Sequence, residues 1–80
     1  MYILSQHAKD VIQNRVIKEQ WINETIKNPS LVTEVSENEI HYYKTIIDND
    51  NRCLKVVINP IKKLVVTTYF DRGMRKRGCK

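Results

Sequence analysis

His7, Tyr69 and Arg72 are the side chains of this chain best suited to act on a phosphodiester. Cleavage of RNA by its own 2′-hydroxyl needs a base to take that proton, an acid for the leaving oxygen, and cations for the charge of the phosphorane. Histidine is the side-chain type that titrates nearest neutral pH, which suits His7 to the base or acid role. Tyr69 can donate a proton or stack on a base, and Arg72 can grip a phosphate through two parallel hydrogen bonds. Arg52 and Lys55 are further phosphate clamps, and the Thr67 hydroxyl can bond the same oxygens. Each has an ordinary structural alternative. His7 can pack beside Leu4 and Val11, Tyr69 can pack across a sheet, and the cations can stand solvated on a polar face.

The charge distribution favours a polyanionic partner. Residues 1–61 are nearly balanced and slightly acidic, whereas residues 62–80 hold half of the 14 Lys and Arg against a single acid, Asp71. Arg72, Arg75, Lys76, Arg77 and Lys80 make the end of the chain a basic tail. Such a tail speeds encounter with RNA, DNA, ribosomes or an acidic protein without conferring sequence choice.

Eighty residues make one domain, expected over 1–71 with the basic tail at 72–80. A chain this short buries only roughly 60% of its unfolded surface, so its core is small. At 41% hydrophobic it has enough apolar residues to fold. The longest apolar run, Met1–Leu4, is too short for a membrane span or a secretory leader, and no membrane association is expected. Cys53 and Cys79 fit neither a disulfide framework nor a zinc site, and they read as reduced thiols of a cytoplasmic protein. His7 and His41 lack the spacing of metal ligands. No phosphate-binding Gly loop or nucleophile elbow occurs, so no metal or cofactor is expected.

The elements that must position these residues are readable from periodicity. Ser5 is an N-cap for a helix to Arg15, with apolar residues at Ala8, Val11 and Ile12. A second helix covers Lys18 to Lys27 and ends before Pro29, with Trp21 as a core anchor. Weak alternation over Leu31–Ser36 is followed by strands at Ile40–Asp48, Arg52–Ile58 and Leu64–Phe70. The Asp48–Asn51 cluster and Asn59-Pro60 separate them. The order predicts an α+β fold, with two N-terminal helices packed on one face of a four-stranded antiparallel sheet. Alternation puts Leu54, Val56, Ile58, Leu64, Val66 and Phe70 against the helices and Lys55, Thr67 and Tyr69 on the open face. His41, Tyr42 and Tyr43 add aromatic rings that can pack in a core or stack on bases.

Leu4-Ser-Gln-His-Ala8 opening the first helix, Lys27-Asn28-Pro29 ending the second, Tyr42-Tyr43, Leu54-Lys-Val-Val-Ile58 and Val65-Val-Thr-Thr-Tyr69 together resemble a family of small bacterial proteins of unassigned function. That family belongs to the RelE/ParE toxin superfamily, with BrnT-type toxins as relatives. The resemblance covers residues 3–71; Thr68 replaces the usual aliphatic residue, and the basic tail is not part of the pattern. It implies a RelE-like sheet, a metal-independent endoribonuclease acting as an mRNA interferase, RNA or the ribosome as target, and a small antitoxin partner. It puts His7 at the N-terminal turn of the first helix; together with the charge asymmetry and the residue chemistry above, this points to His7 as acid or base, Tyr69 as acid or stacking residue, and Arg72, Arg52 and Lys55 as phosphate ligands. The alternative is a non-catalytic binding module of the same fold, acting through a protein or nucleic-acid partner. No tight catalytic dyad is visible in the sequence, which favours that alternative.

Overall fold

The computed structural model describes residues 2–77 and residue 79, without the side chains of residues 75–77. The elements run β1 (Ile3–Leu4), α1 (Gln6–Arg15), α2 (Glu19–Lys27), β2 (Leu31–Ser36), β3 (Glu39–Ile46), β4 (Arg52–Asn59), β5 (Leu64–Phe70) and α3 (Arg72–Arg77). A short 3-10 turn, Ile47–Asn49, joins β3 to β4. The strand order is β1-β5-β4-β3-β2.

The α+β class holds, but the four-stranded antiparallel sheet does not. The sheet has five strands and is mixed, because β1 pairs with β5 in parallel. Ser5 explains how so short a strand is held. Its backbone N–H donates to the Val65 carbonyl at 3.0 Å and its hydroxyl to the Val66 carbonyl at 3.0 Å. The same Oγ accepts from the Ala8 N–H at 3.0 Å, capping α1 as expected of an N-cap serine. One residue thus closes a helix end and fastens it to β5.

α1 and α2 cover one face of the sheet. Leu54, Val56 and Ile58 meet Ala8, Ile17, Trp21 and Ile22 in the main core. Val65 joins them, not Leu64 or Val66. Val57 pairs with Thr67 and Ile58 with Val65, so Val66 is the extra residue of a bulge. The bulge shifts the alternation by one at the start of β5: Val65 is buried and Val66 is exposed. Beyond it the expected phase returns, with Thr68 and Phe70 facing the helices. Buried Thr68 is satisfied through its hydroxyl, which donates to the Lys55 carbonyl at 2.8 Å.

Residues 72–77 of the basic tail form helix α3. Asp71 Oδ1 accepts from the Met74 N–H at 3.1 Å and its own N–H donates to the Cys53 carbonyl at 2.8 Å, which caps α3 and docks it on β4. Cys79 then reaches Cys53, and the two form a disulfide rather than the separate reduced thiols expected. Among the described residues, no helix is long and apolar enough to cross a membrane.

Candidate nucleic-acid interface

β3, β4 and β5 each place one residue in a row across the face away from α1 and α2: Tyr43 opposite Lys55, and Lys55 opposite Tyr69. Neighbouring strands lie about 4.8 Å apart, so the row is about 10 Å long. The Lys55 ammonium stands 5.3 Å from the centre of the Tyr69 ring and 5.7 Å from that of Tyr43. A second cation approaches Tyr69 from the side. Arg15, the last residue of α1, places its guanidinium 5.9 Å from the ring centre. This reach is possible because β1 covers only the first two residues of β5, leaving α1 alongside the rest.

Two cations sharing one ring repel each other, and a nearby carboxylate would be the usual relief. Among the described residues, neither Arg15 nor Lys55 has an ion pair. Two cations against the one nearby carboxylate, Asp71, therefore leave a positive excess beside a partly exposed aromatic, the combination that attracts a phosphate and stacks its base. Burial pulls the Lys55 pKa down, but the hydrogen bond to Tyr69 and the charges of Tyr43, Tyr69 and Asp71 together raise it above the ordinary lysine value. Lys55 is therefore an ammonium at neutral pH.

The structure gathers some of the residues singled out from the sequence and separates others. Lys55 and Tyr69 share the outer face, and half-buried Thr67 lies one row away, in register with Val57 and His41. Arg72 is exposed at the start of α3. Arg75, Lys76 and Arg77 belong to the α3 backbone, and their side chains lie outside the described residues. Arg52 is on the opposite face, its guanidinium 4.7 Å from the centre of the Phe70 ring. His7 is exposed in the first turn of α1, and eight residues of helix carry the chain from it to Arg15, about 12 Å along the axis. The helix therefore delivers Arg15, not His7, to Tyr69.

Arg15 and Glu39, the partner of His41, are the residues that sequence reasoning passed over. His41 Nε2 lies 2.7 Å from Glu39 Oε2, and its ring meets Tyr43 edge-on at 6.5 Å. The signal for the pair is the spacing Glu39-x-His41-x-Tyr43, which puts three side chains on one face of a strand. No comparable local signal marks Arg15, because its role depends on how α1 lies along β5.

The family model described as a domain of unknown function (DUF4258) matches residues 4–70, and the chain belongs to that family. No curated protein and no solved structure matches it.

Proposed function

We propose that this DUF4258 chain binds single-stranded RNA across the outer face of its sheet. Arg15 and Lys55 take backbone phosphates and Tyr69 stacks on a base. The observation that carries this reading is the pair of cations on Tyr69 with no carboxylate ion pair among the described residues. The surplus of positive charge in residues 62–80 supplies the long-range attraction. Kinship with RelE/ParE toxins, and a small acidic antitoxin that shields this face, belong to the same reading.

The test is binding of a fluorescent oligouridylate over a range of salt. Log affinity should fall linearly with log salt, with a slope of about −0.7 per phosphate contacted. Arg15→Ala should weaken binding and flatten that slope. Salt-independent binding, or an unchanged slope in the variant, rejects the site. Induced expression in bacteria tests the toxin–antitoxin part: growth arrest relieved by a neighbouring gene product supports it, and unimpeded growth removes it.

A second reading, RNA cleavage at the same face, rests on the centre of the Tyr69 phenol ring lying 5.3 Å from the Lys55 ammonium and 5.9 Å from the Arg15 guanidinium. There a proton donor adjoins two cations. His41, one row away, would take the proton of the 2′-hydroxyl as its oxygen attacks phosphorus. The bond to the 5′-oxygen would break as Tyr69 gives that oxygen a proton. The products are a 2′,3′-cyclic phosphate and a free 5′-hydroxyl. Metal-free cleavage that survives Tyr69→Phe or His41→Ala unchanged would contradict this assignment.

A further inference from the structure

Tyr43 is the other aromatic beside Lys55, yet it is only 6% exposed. Neither face of the sheet's main core accounts for this. Its cover is a small separate cluster made with Cys53, Cys79 and Met74. Met74 and Cys79 both belong to the segment that folds back after β5. That segment is held at two ends. Asp71 anchors the start of α3 to β4 through the Cys53 carbonyl. The Cys53–Cys79 disulfide anchors the far end, with the two Cα atoms 6.0 Å apart, and the Cys79 N–H donates to the Met74 carbonyl at 3.1 Å. Between the anchors lie six helical residues, Arg72-Gly-Met-Arg-Lys-Arg77, of which only Met74 is apolar. A single isolated turn and a half of helix does not persist in water. The disulfide therefore decides whether this segment stays on the sheet.

We propose that Cys53 and Cys79 form a redox-controlled clasp that closes a lid over Tyr43 when oxidised and opens it when reduced. The inference rests on the RNA-binding reading of the outer face and adds its regulation. The reductant is a dithiol. Its thiolate attacks Sγ of Cys79, the more exposed of the two at 6% against 1% for Cys53. The Cys53 thiolate leaves, and the second thiol of the reductant then releases Cys79. Two electrons pass to the protein, the reductant ends as a cyclic disulfide, and its two protons finish on Cys53 and Cys79. With its far anchor gone, α3 lifts, and Tyr43 joins Tyr69 as a second stacking ring on the other side of Lys55. Basic residues of the lid remain tethered nearby, so opening adds a ring without removing charge.

The closing experiment uses the full chain in oxidised form, after dithiothreitol, and as Cys79→Ser. Amide hydrogen exchange over residues 72–77 reads the lid without any RNA, and oligouridylate affinity reads the site. The clasp predicts fast exchange of those amides in the reduced protein and in Cys79→Ser, and slow exchange in the oxidised protein. It also predicts affinity roughly tenfold higher in both open forms, at the lower end of what one stacked base is worth. Cys79→Ser should be indifferent to dithiothreitol. Equal exchange in the two redox states overturns the clasp. A freed lid with equal affinity in both states overturns its control of binding. A freed lid with no RNA binding in either state leaves the clasp supported and rejects the RNA reading beneath it.

Discussion

Arg52 and Lys55 stand three residues apart on β4, each over aromatic rings, and they face opposite sides of the sheet. On the helix side, Arg52 caps Phe70, Phe70 meets Trp21 edge-on with centres 6.1 Å apart, and Lys18 stands 5.4 Å from the Trp21 ring centre. On the outer side, Lys55 and Arg15 flank Tyr69. The two ladders use the same chemistry. What differs is what lies behind the rings. Trp21 is buried in the main core, so its cations act as lids on a hydrocarbon interior. Tyr69 belongs to neither core cluster among the described residues and stays partly exposed. A cation over an aromatic ring is therefore a stability feature or a binding feature according to the packing on the ring's other side.

Truncating the two aromatics separates these roles most sharply. Trp21→Ala should cost about 3–5 kcal/mol of stability, a large part of what a domain this small has, and should show as a collapse of the urea midpoint. Tyr69→Ala should leave that midpoint nearly in place and lose about 1–3 kcal/mol of oligouridylate binding, while Tyr69→Phe keeps most of the affinity. If Tyr69→Ala unfolds the protein as Trp21→Ala does, the two ladders are equivalent and the outer one is structural.

The cations give the next contrast. Lys55→Ala should lower the slope of log affinity against log salt by about 0.7, because one phosphate contact is lost. Arg52→Ala should leave the slope alone and cost about 0.5–1 kcal/mol of stability through its lost contact with Phe70. A change of slope in Arg52→Ala would mean that bound RNA wraps the edge of the sheet, and the division between faces would fall.

This contrast also marks how far the sequence carries. Ser5 as a cap, the end of α2 before Pro29, and the phase of β4 are local signals, and the chain obeys them. Lys55 and Tyr69 share a face because alternation within each strand says so. The missed features depend on contacts between distant segments. Two residues of β1 are below any period and exist through pairing with Leu64 and Val65. The bulge at Val66 is a mismatch between two strands and leaves no mark in either. α3 is a run of charge with one methionine, and it is held by Asp71 and by Cys79 at 26 residues' distance from Cys53. Arg15 enters the site by the lie of α1 along β5, which no spacing within α1 encodes.

Alkaline titration tests both faces, through Tyr42 on one and Lys55 on the other. Burial, aided by Tyr2 and Glu34, raises the Tyr42 pKa above the ordinary 10.0 on the helix side. The Lys55 pKa is raised above the ordinary 10.5 on the outer side. A group with a raised folded pKa holds its proton longer when folded. Its contribution is complete below the ordinary value and is lost as pH rises through the raised one. The urea midpoint should therefore fall from about pH 10 upward, and Tyr42→Phe should make that fall shallower. A midpoint that stays flat between about pH 9 and pH 11 would contradict both environments.

The smallest effect concerns the corner that divides the ladders. Arg15 goes to Tyr69 and Lys18 to Trp21 because the chain turns between them at Val16, with φ at 53°. A β-branched side chain is strained in this left-handed region, where a helix end ordinarily takes glycine. Val16 is 79% exposed, so its side chain gives little packing in return. Val16→Gly should stabilise the fold by up to about 1 kcal/mol, read as a rise in melting temperature, with RNA affinity and salt slope unchanged. If affinity drops instead, the stiffness of this corner is what holds Arg15 over Tyr69, and the outer ladder depends on strain that the inner one does not need.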